Sequence, residues 1–320
     1  MLTKEQLEFR KTGIGGSDAS AVLGISRYKT PLDVYLEKVG EREDSIVNKN
    51  MEVGNKVESY IVKKYSRETG LKVDAGPQSY RNPINKFMIG NLDGIIPSNK
   101  SILECKSASS HLTHLWGKQG SDEMPNEYLI QCAHYAAVFD LDKVDLAVSF
   151  LDEAFKQLIL ETNSAEVIDF LISYDFRVYT YRRNKDLEKK IIEKERDLWM
   201  NHVEKKSPPL ASSYADATKM WPKAKTKTKI VDDATKEAIA QIKELKKLFK
   251  NLENEESVYK STICNLLEDA SHLIDVDGTS LASWKNQSSN RFDIPSFKEK
   301  YPELYKEFCK DTETRVLRIS

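Results

Sequence analysis

Asp93, Glu104 and Lys106 are the residues in this sequence best suited to chemistry. Asp93 follows Ile89-Gly90-Asn91-Leu92, and Glu104 and Lys106 stand two apart in Ile102-Leu103-Glu104-Cys105-Lys106. A strand repeats every two residues, so Glu104 and Lys106 share a face. A hairpin between the two runs would set Asp93 beside them. Two carboxylates and an ammonium on one side of a sheet offer hard oxygen ligands, which suit Mg2+ or Mn2+ better than zinc. Hydrolysis of a phosphodiester needs what such a site can supply: neutralised phosphate charge, an activated water and a stabilised leaving oxygen. Lys106 could orient or deprotonate the water, because neighbouring cations lower a lysine's pKa. Cys105 points to the opposite face, with its side chain in the core and its carbonyl free to bind a metal. The same charges could also form a plain surface ion cluster on an amphipathic hairpin.

The elements around them bear on that choice. Val53, Val57, Ile61 and Tyr65 repeat at four-residue steps and predict a helix over 52–69, ended by Gly70. Glu58 lies on another face of that helix, from which a helix packed on the sheet could aim it at a metal. Strand patterns cover 72–80, 87–96 and 101–106, with turns at Asn82-Pro83 and Pro97-Ser98-Asn99. Pro125 opens a helix that puts Gln131 and Tyr135 one turn apart on one face. Two more strands are expected at 144–151 and 155–160, then charged helix from 164 to about 206. Near the N-terminus, Gly13-Ile14-Gly15-Gly16-Ser17-Asp18 reads as a tight turn with exposed N–H groups, where Ser17 or Asp18 could cap the next helix.

The order of elements predicts a mixed α/β domain over 1–206. A linker follows at 207–231, in which Lys219, Lys223, Lys225, Lys227 and Lys229 could instead contact phosphate. Residues 232–270 carry a heptad stripe of Ala238, Ile242, Leu245, Phe249, Leu252, Tyr259, Ile263 and Leu266, with Glu256 the one polar intruder. That predicts a helical hairpin or coiled coil, paired with the charged helix ending near 206 or with another subunit. A short mixed tail completes the third segment, 232–320, with strands at 280–284 and 314–319 and a helix opening at Pro295.

The chain has 320 residues, with 49 Lys and Arg against 50 Asp and Glu, a formal charge of −1. That excludes a uniformly basic nucleic-acid coat and leaves room for a local basic groove. No apolar run approaches the roughly 18 residues of a membrane span, and the first residues lack a signal-peptide core. The four cysteines are isolated, which argues against a zinc finger or disulfide framework and for a reducing cytosol. His111 and His114 lack a third ligand at suitable spacing and read as a polar loop. Trp116 in that loop could stack on an unpaired base.

The motifs, taken in order, resemble the YqaJ-like viral recombinase family, which groups with lambda-type phage exonucleases in the PD-(D/E)xK nuclease superfamily. The matching residues are Ile14-Gly15-Gly16-Ser17-Asp18 with Ala21-Val22-Leu23-Gly24, then Tyr28-Lys29-Thr30-Pro31 and Gly54-x-x-x-Glu58. Leu92-Asp93-Gly94, Leu103-Glu104-x-Lys106 and Pro125-x-x-Tyr128-x-x-Gln131-x-x-x-Tyr135 follow, so the likeness is dense over about 10–160. It implies a PD-(D/E)xK core, a mixed central sheet flanked by helices, carrying a helical extension and tail. It implies Asp93, Glu104 and the Cys105 carbonyl as metal ligands, with Glu58 serving a second ion, hence two Mg2+ or Mn2+ per site. Lys106 would activate or position water, and Gln131 would hold Lys106 or the phosphate. Arg10 and Ser17 would bind a terminal 5′-phosphate, while Tyr135 would pack. The implied activity is 5′→3′ digestion of one strand of duplex DNA, leaving a 3′ overhang for a single-strand annealing protein. A homo-oligomeric ring, a trimer, in the cytoplasm of a bacterial host is implied with it. The rivals are an endonuclease or single-strand nuclease on the same site, a non-catalytic DNA-binding protein, and a scaffold built on 232–270.

Overall fold

A computed structural model describes residues 4–41 and 48–319, with the backbone alone at residue 4 and over 75–78. The chain falls into two units, Met1–Met220 and Trp221–Ser320. The first opens with three short helices, α1 (Lys4–Lys11), α2 (Gly16–Val22) and α3 (Pro31–Lys38), and the long α4 (Lys49–Thr69). Thr30 caps α3 by accepting from the Asp33 N–H, Pro31 sits in its first turn, and Gly70 ends α4 at φ 70°. Strands β1 (Asp74–Arg81), β2 (Ile89–Ile96) and β3 (Ser101–Ser109) follow. Then come α5 (Asn126–Phe139), β4 (Lys143–Leu151), α6 (Glu153–Glu161), α7 (Ala165–Ser173), β5 (Phe176–Arg182), α8 (Lys185–Asp197) and α9 (Tyr214–Met220).

The five strands form one mixed sheet in sequence order. β1, β2 and β3 meander antiparallel, β3 and β4 run parallel, and β5 returns antiparallel to β4. The parallel step needs a crossover, which α5 provides. Alternation along the strands feeds two cores. On one face Ile102, Leu146, Val148 and Phe150 pack with Ile130, Cys132 and Ala133 of α5. On the other, Leu103, Cys105, Ala147 and Leu151 meet Val53, Val57 and Ile61 of α4 and Ile168 and Leu171 of α7. Ile61 is almost wholly enclosed, and Ile61→Ala would cost about 2–5 kcal/mol.

Two elements depart from the sequence reading. Residues 155–160 are helical, not a strand. Asp152 caps α6 by accepting from the Phe155 N–H at 2.7 Å, and Lys156 and Ile159, three apart, turn to the core. The fifth strand is instead 176–182, inside the stretch expected to be all helix. Its Tyr179 and Tyr181 face the α5 side, while Phe176 and Val178 face the α4 side. Short apolar runs fit either period, and the partners decide.

Residues 207–220 belong to the first unit, although they read as the start of a linker. Asp216 of α9 is fully buried, accepting from Thr30 Oγ1 at 2.8 Å and Ser212 Oγ at 2.8 Å. Lys219, expected in a solvated strip, pairs with Asp33 at 2.6 Å.

The second unit contains one continuous 35-residue helix, α10 (Asp233–Leu267), rather than a hairpin. A two-stranded piece, β6 (His272–Ile274) with β7 (Ser280–Ser283), and helices α11 (Ile294–Lys300) and α12 (Pro302–Phe308) follow. The strand expected over 314–319 is not formed. Among the described residues no helix is long and apolar enough to cross a membrane.

Candidate active site

The pairing of β2 with β3 covers only Ile96 with Ser101, Ile95 with Ile102 and Gly94 with Leu103. One residue further on, the Asp93 carboxylate takes over. Its Oδ2 accepts from the Cys105 N–H at 2.8 Å, where a strand carbonyl would otherwise serve. The ladder therefore stops at the point where Asp93 and Glu104 meet. The Cys105 thiol is buried in the α4-side core, as its place on the opposite face required, and burial pushes its pKa up.

Glu104 is buried against α5. Its Oε1 accepts from Lys106 Nζ at 2.6 Å and from Gln131 Nε2 at 2.6 Å. Its Oε2 is buried and accepts no hydrogen bond. Burial, then the adjacent Asp93 charge, push its pKa up to about 8 against the pull of Lys106. Asp93 is raised by burial in spite of Lys106, the Cys105 N–H and a hydrogen bond with the Glu104 side chain. Glu58, half-buried on α4, is raised by burial and by Asp93, which places it in the field of the same cluster. A buried carboxylate oxygen without a donor normally costs stability, so its presence calls for a missing partner.

A divalent cation would be that partner in kind. Asp93 and Glu104 are adjacent hard-oxygen donors that repel each other, and a cation between them would remove both the repulsion and the orphan atom. The donor set fits one ion as a carboxylate pair. Among the described residues no group of three or more His, Cys, Asp or Glu side chains is set to hold a metal by itself. Glu58 adds charge nearby without closing such a group.

The charged side chains beside Lys106 are the carboxylates of Glu104 and Asp93. Burial alone would lower its pKa, but Glu104 and Asp93 outweigh it and raise it. Lys106 is therefore an ammonium at neutral pH, suited to holding a water or a phosphate oxygen. The Tyr128 ring lies 6.0 Å from its Nζ. Gln131 holds Glu104, not Lys106. It also donates to Tyr135 Oη at 3.3 Å, and Tyr135 in turn donates to the Asn91 carbonyl at 3.1 Å. Tyr135 is a packing residue in a second sense. A Cβ on Gly16 would lie 2.7 Å from its Cζ, so only glycine lets α2 approach α5 this closely.

Arg10 and Ser17 come together: Arg10 Nη2 donates to Ser17 Oγ at 3.1 Å. Both line a cleft of about 390 Å³ whose wall includes Tyr28, Trp116, Tyr128 and Gln131. Gln131 thus touches both the cleft and the carboxylate pair. Trp116 is not available for stacking on a base. It is buried, stacked on Tyr128 at 5.2 Å and tilted on Tyr179 at 5.0 Å. His111 and His114 are exposed, and His114 Nδ1 lies 3.0 Å from the His111 carbonyl, with no metal group formed.

Two features of the site were missed in the sequence. Asp18 caps α2, as the turn suggested, accepting from the Gly15 N–H at 3.5 Å, but it is also fully buried and ion-paired with Lys38 at 2.7 Å and Lys29 at 3.2 Å. Lys38 Nζ also donates to the Arg10 carbonyl at 2.7 Å, so this pair anchors the end of α1 that carries Arg10. His134, next to Tyr135 on α5, is buried with Nδ1 2.8 Å from Glu195 and Nε2 2.9 Å from the Ile89 carbonyl. It ties α5 to α8 and to β2. Nothing in the spacing of Asp18, Lys38, His134 and Glu195 marks them as partners, because each pair is joined only by the fold.

The whole chain is 27% identical to the uncharacterised protein YqaJ of Bacillus subtilis (strain 168), over 94% of that protein. Among solved structures it is similar to an alkaline exonuclease, LHK-Exo, of Laribacter hongkongensis, at 16% identity and a TM-score of 0.48, covering 64% of this chain and 94% of that one. It is also similar to a phage related exonuclease of Haemophilus somnus 129PT, at 16% identity and a TM-score of 0.45, covering 63% of this chain and all of the other. Residues 5–142 match the model of the YqaJ-like viral recombinase domain. That span, the part of the chain that resembles the YqaJ-like viral recombinase domain, holds Arg10, Ser17, Glu58, Asp93, Glu104, Lys106 and Gln131.

Proposed function

We propose that the chain is a phage-type deoxyribonuclease that requires Mg2+ or Mn2+. It digests one strand of duplex DNA from a 5′ end and leaves a 3′ overhang for a single-strand annealing protein. The observation that carries the reading is Glu104: one oxygen takes Lys106 and Gln131, and the other, beside Asp93, is buried with no donor. Asp93, Glu104 and the Cys105 carbonyl would hold one ion, and Glu58 would contribute to a second. A bound divalent ion supplies charge for the scissile phosphate and acidity for a water.

The chain's own residues do the rest. Lys106 stays protonated and holds a water or a non-bridging phosphate oxygen against the cluster. Gln131 fixes the Glu104 carboxylate and leaves its second oxygen without a hydrogen-bond partner. The cleft seats the strand, and the Arg10 guanidinium with the Ser17 hydroxyl reads a terminal 5′-phosphate, a task to which a forked donor is suited. A ring-shaped homotrimer around the duplex, working in the cytoplasm of a bacterial host, is the assembly this reading favours.

The test uses linear duplexes ending in 5′-phosphate or 5′-hydroxyl, with a closed circle as control, in Mg2+. Phosphorylated ends should be digested fastest, and Arg10→Ala should lose that preference by about 10–100-fold, the size of a charged hydrogen-bond contact. Circles cut as fast as linear ends would overturn the end-directed reading. Digestion unchanged by chelation of divalent ions would overturn the metal-dependent one.

A further inference from the structure

We infer that α10 is a docking surface for a second copy of this chain, joined as an antiparallel helix pair. The inference stands apart from the nuclease reading, because nothing in the catalytic cluster enters it. α10 is one unbroken helix, capped by Asp232 accepting from the Thr235 N–H at 2.7 Å. Along it Leu245, Phe249, Leu252, Tyr259, Ile263 and Leu266 recur at steps of three and four residues, interrupted only where Glu256 takes the seam position between Leu252 and Tyr259, and all six are exposed. A heptad seam of this kind is buried by another helix with the same repeat.

The charges beside the seam select the partner and its direction. With Ile242, Phe249, Glu256 and Ile263 at one seam position and Leu245, Leu252, Tyr259 and Leu266 at the other, the flanking row that follows the second set reads Lys246, Glu253, Lys260. In a parallel pair of copies Glu256 would face Glu256 of the other copy inside the seam, which costs stability. In an antiparallel pair that row faces itself. Setting Phe249 against Leu252 of the other copy brings Lys246 against Glu253 twice, once on each side of the twofold axis. It also sets Glu256 against Leu245, with the Glu256 carboxylate held by Lys260 of its own helix at 2.8 Å. A slip of one heptad one way puts Lys246 against Lys246, and the other way Lys246 against Lys260. Only one register is complementary, and it is self-complementary, as a twofold contact between identical chains must be.

Cysteine cross-linking of the full chain tests this, with Cys264 and Cys309 changed to Ser to remove background thiols. One chain carries Phe249→Cys and another carries Leu252→Cys. The antiparallel register predicts a disulfide-linked dimer when the two are mixed and oxidised, and little when either is oxidised alone. Lys246→Glu in both chains should cut the mixed yield by about tenfold, because two attractive contacts become repulsive, and adding Glu253→Lys should restore it. Cross-linking of each chain alone would show a parallel pair and overturn the register. No cross-link in any mixture would show that α10 takes a different partner or none, and would overturn the proposal.

Discussion

Gln131 Nε2 and Lys106 Nζ converge on a single oxygen of Glu104, each at 2.6 Å. The convergence leaves the other oxygen buried and without a hydrogen-bond partner. Gln131→Ala removes one of the two donors and frees the carboxylate to rotate. The expected loss is about 10–100-fold in rate, the usual size for a group that orients a ligand. Single-turnover digestion of a linear duplex reads it directly. Lys106→Ala should cost more, because it removes a charge from the cluster as well as a hydrogen bond. A Gln131→Ala variant that digests at the full rate would show that Lys106 alone fixes Glu104.

The buried Glu104 Oε2 makes a second prediction with a readout other than activity. A ligand that binds only the folded chain raises its melting temperature in proportion to the logarithm of its concentration. Mn2+ should therefore stabilise the wild-type chain in the millimolar range. Asp93→Asn and Glu104→Gln should both abolish that stabilisation. Equal Mn2+ shifts in all three proteins would place the ion elsewhere.

The central cluster was legible because it is local. Asp93, Glu104 and Lys106 lie within one hairpin, where a period of two fixes the faces. The helix bearing Glu58 and the i, i+4 pair of Gln131 and Tyr135 were legible for the same reason. The fifth strand was not. Phe155–Leu160 and Phe176–Arg182 are both short apolar runs, and only the Asp152 cap on the first and the β4 ladder on the second tell them apart. The acidity of Lys106 was not legible, because its sign depends on the balance of carboxylates and bound cations around it, which spacing does not record. Trp116 was misplaced because burial in a loop comes from Tyr128 and Tyr179, far along the chain.

Asp18 should govern the acid stability of the α1–α3 region. Burial alone would raise its pKa, but Lys38, Lys29 and Arg10 overcome that and hold it well below the usual carboxylate range. A group with a depressed folded pKa contributes stability above its unfolded value, near 3.8, and loses it as pH falls toward the folded value. Asp18→Asn leaves Lys38 buried without its partner, at a cost of about 3–5 kcal/mol at pH 7. Urea unfolding should show that gap at pH 7. It should narrow below about pH 4, where the wild-type carboxylate begins to take up its proton. A gap constant from pH 7 to pH 3 would mean that the loss is one of packing. Because Lys38 also holds the Arg10 carbonyl, Asp18→Asn should weaken the preference for 5′-phosphate ends as well.

Glu58 separates a one-ion from a two-ion site. It stands on α4, on the opposite side of the sheet from α5, yet Asp93 and Lys106 both act on its charge, which sets it near the open end of the β2–β3 ladder. If it serves a second ion, Glu58→Ala should lower the rate and raise the Mg2+ concentration needed for half-maximal rate together, by about 10–100-fold each. Glu58→Asp should recover part of both, because it keeps a carboxylate on the same helix face. If Glu58 only shapes the field, Glu58→Ala should instead relieve repulsion on Asp93, leave the Mg2+ requirement unchanged and raise the melting temperature slightly. Rates across a Mg2+ titration, with melting curves on the same samples, distinguish the two. An unchanged Mg2+ midpoint in Glu58→Ala would remove Glu58 from the ligand set and leave Asp93, Glu104 and the Cys105 carbonyl holding a single ion.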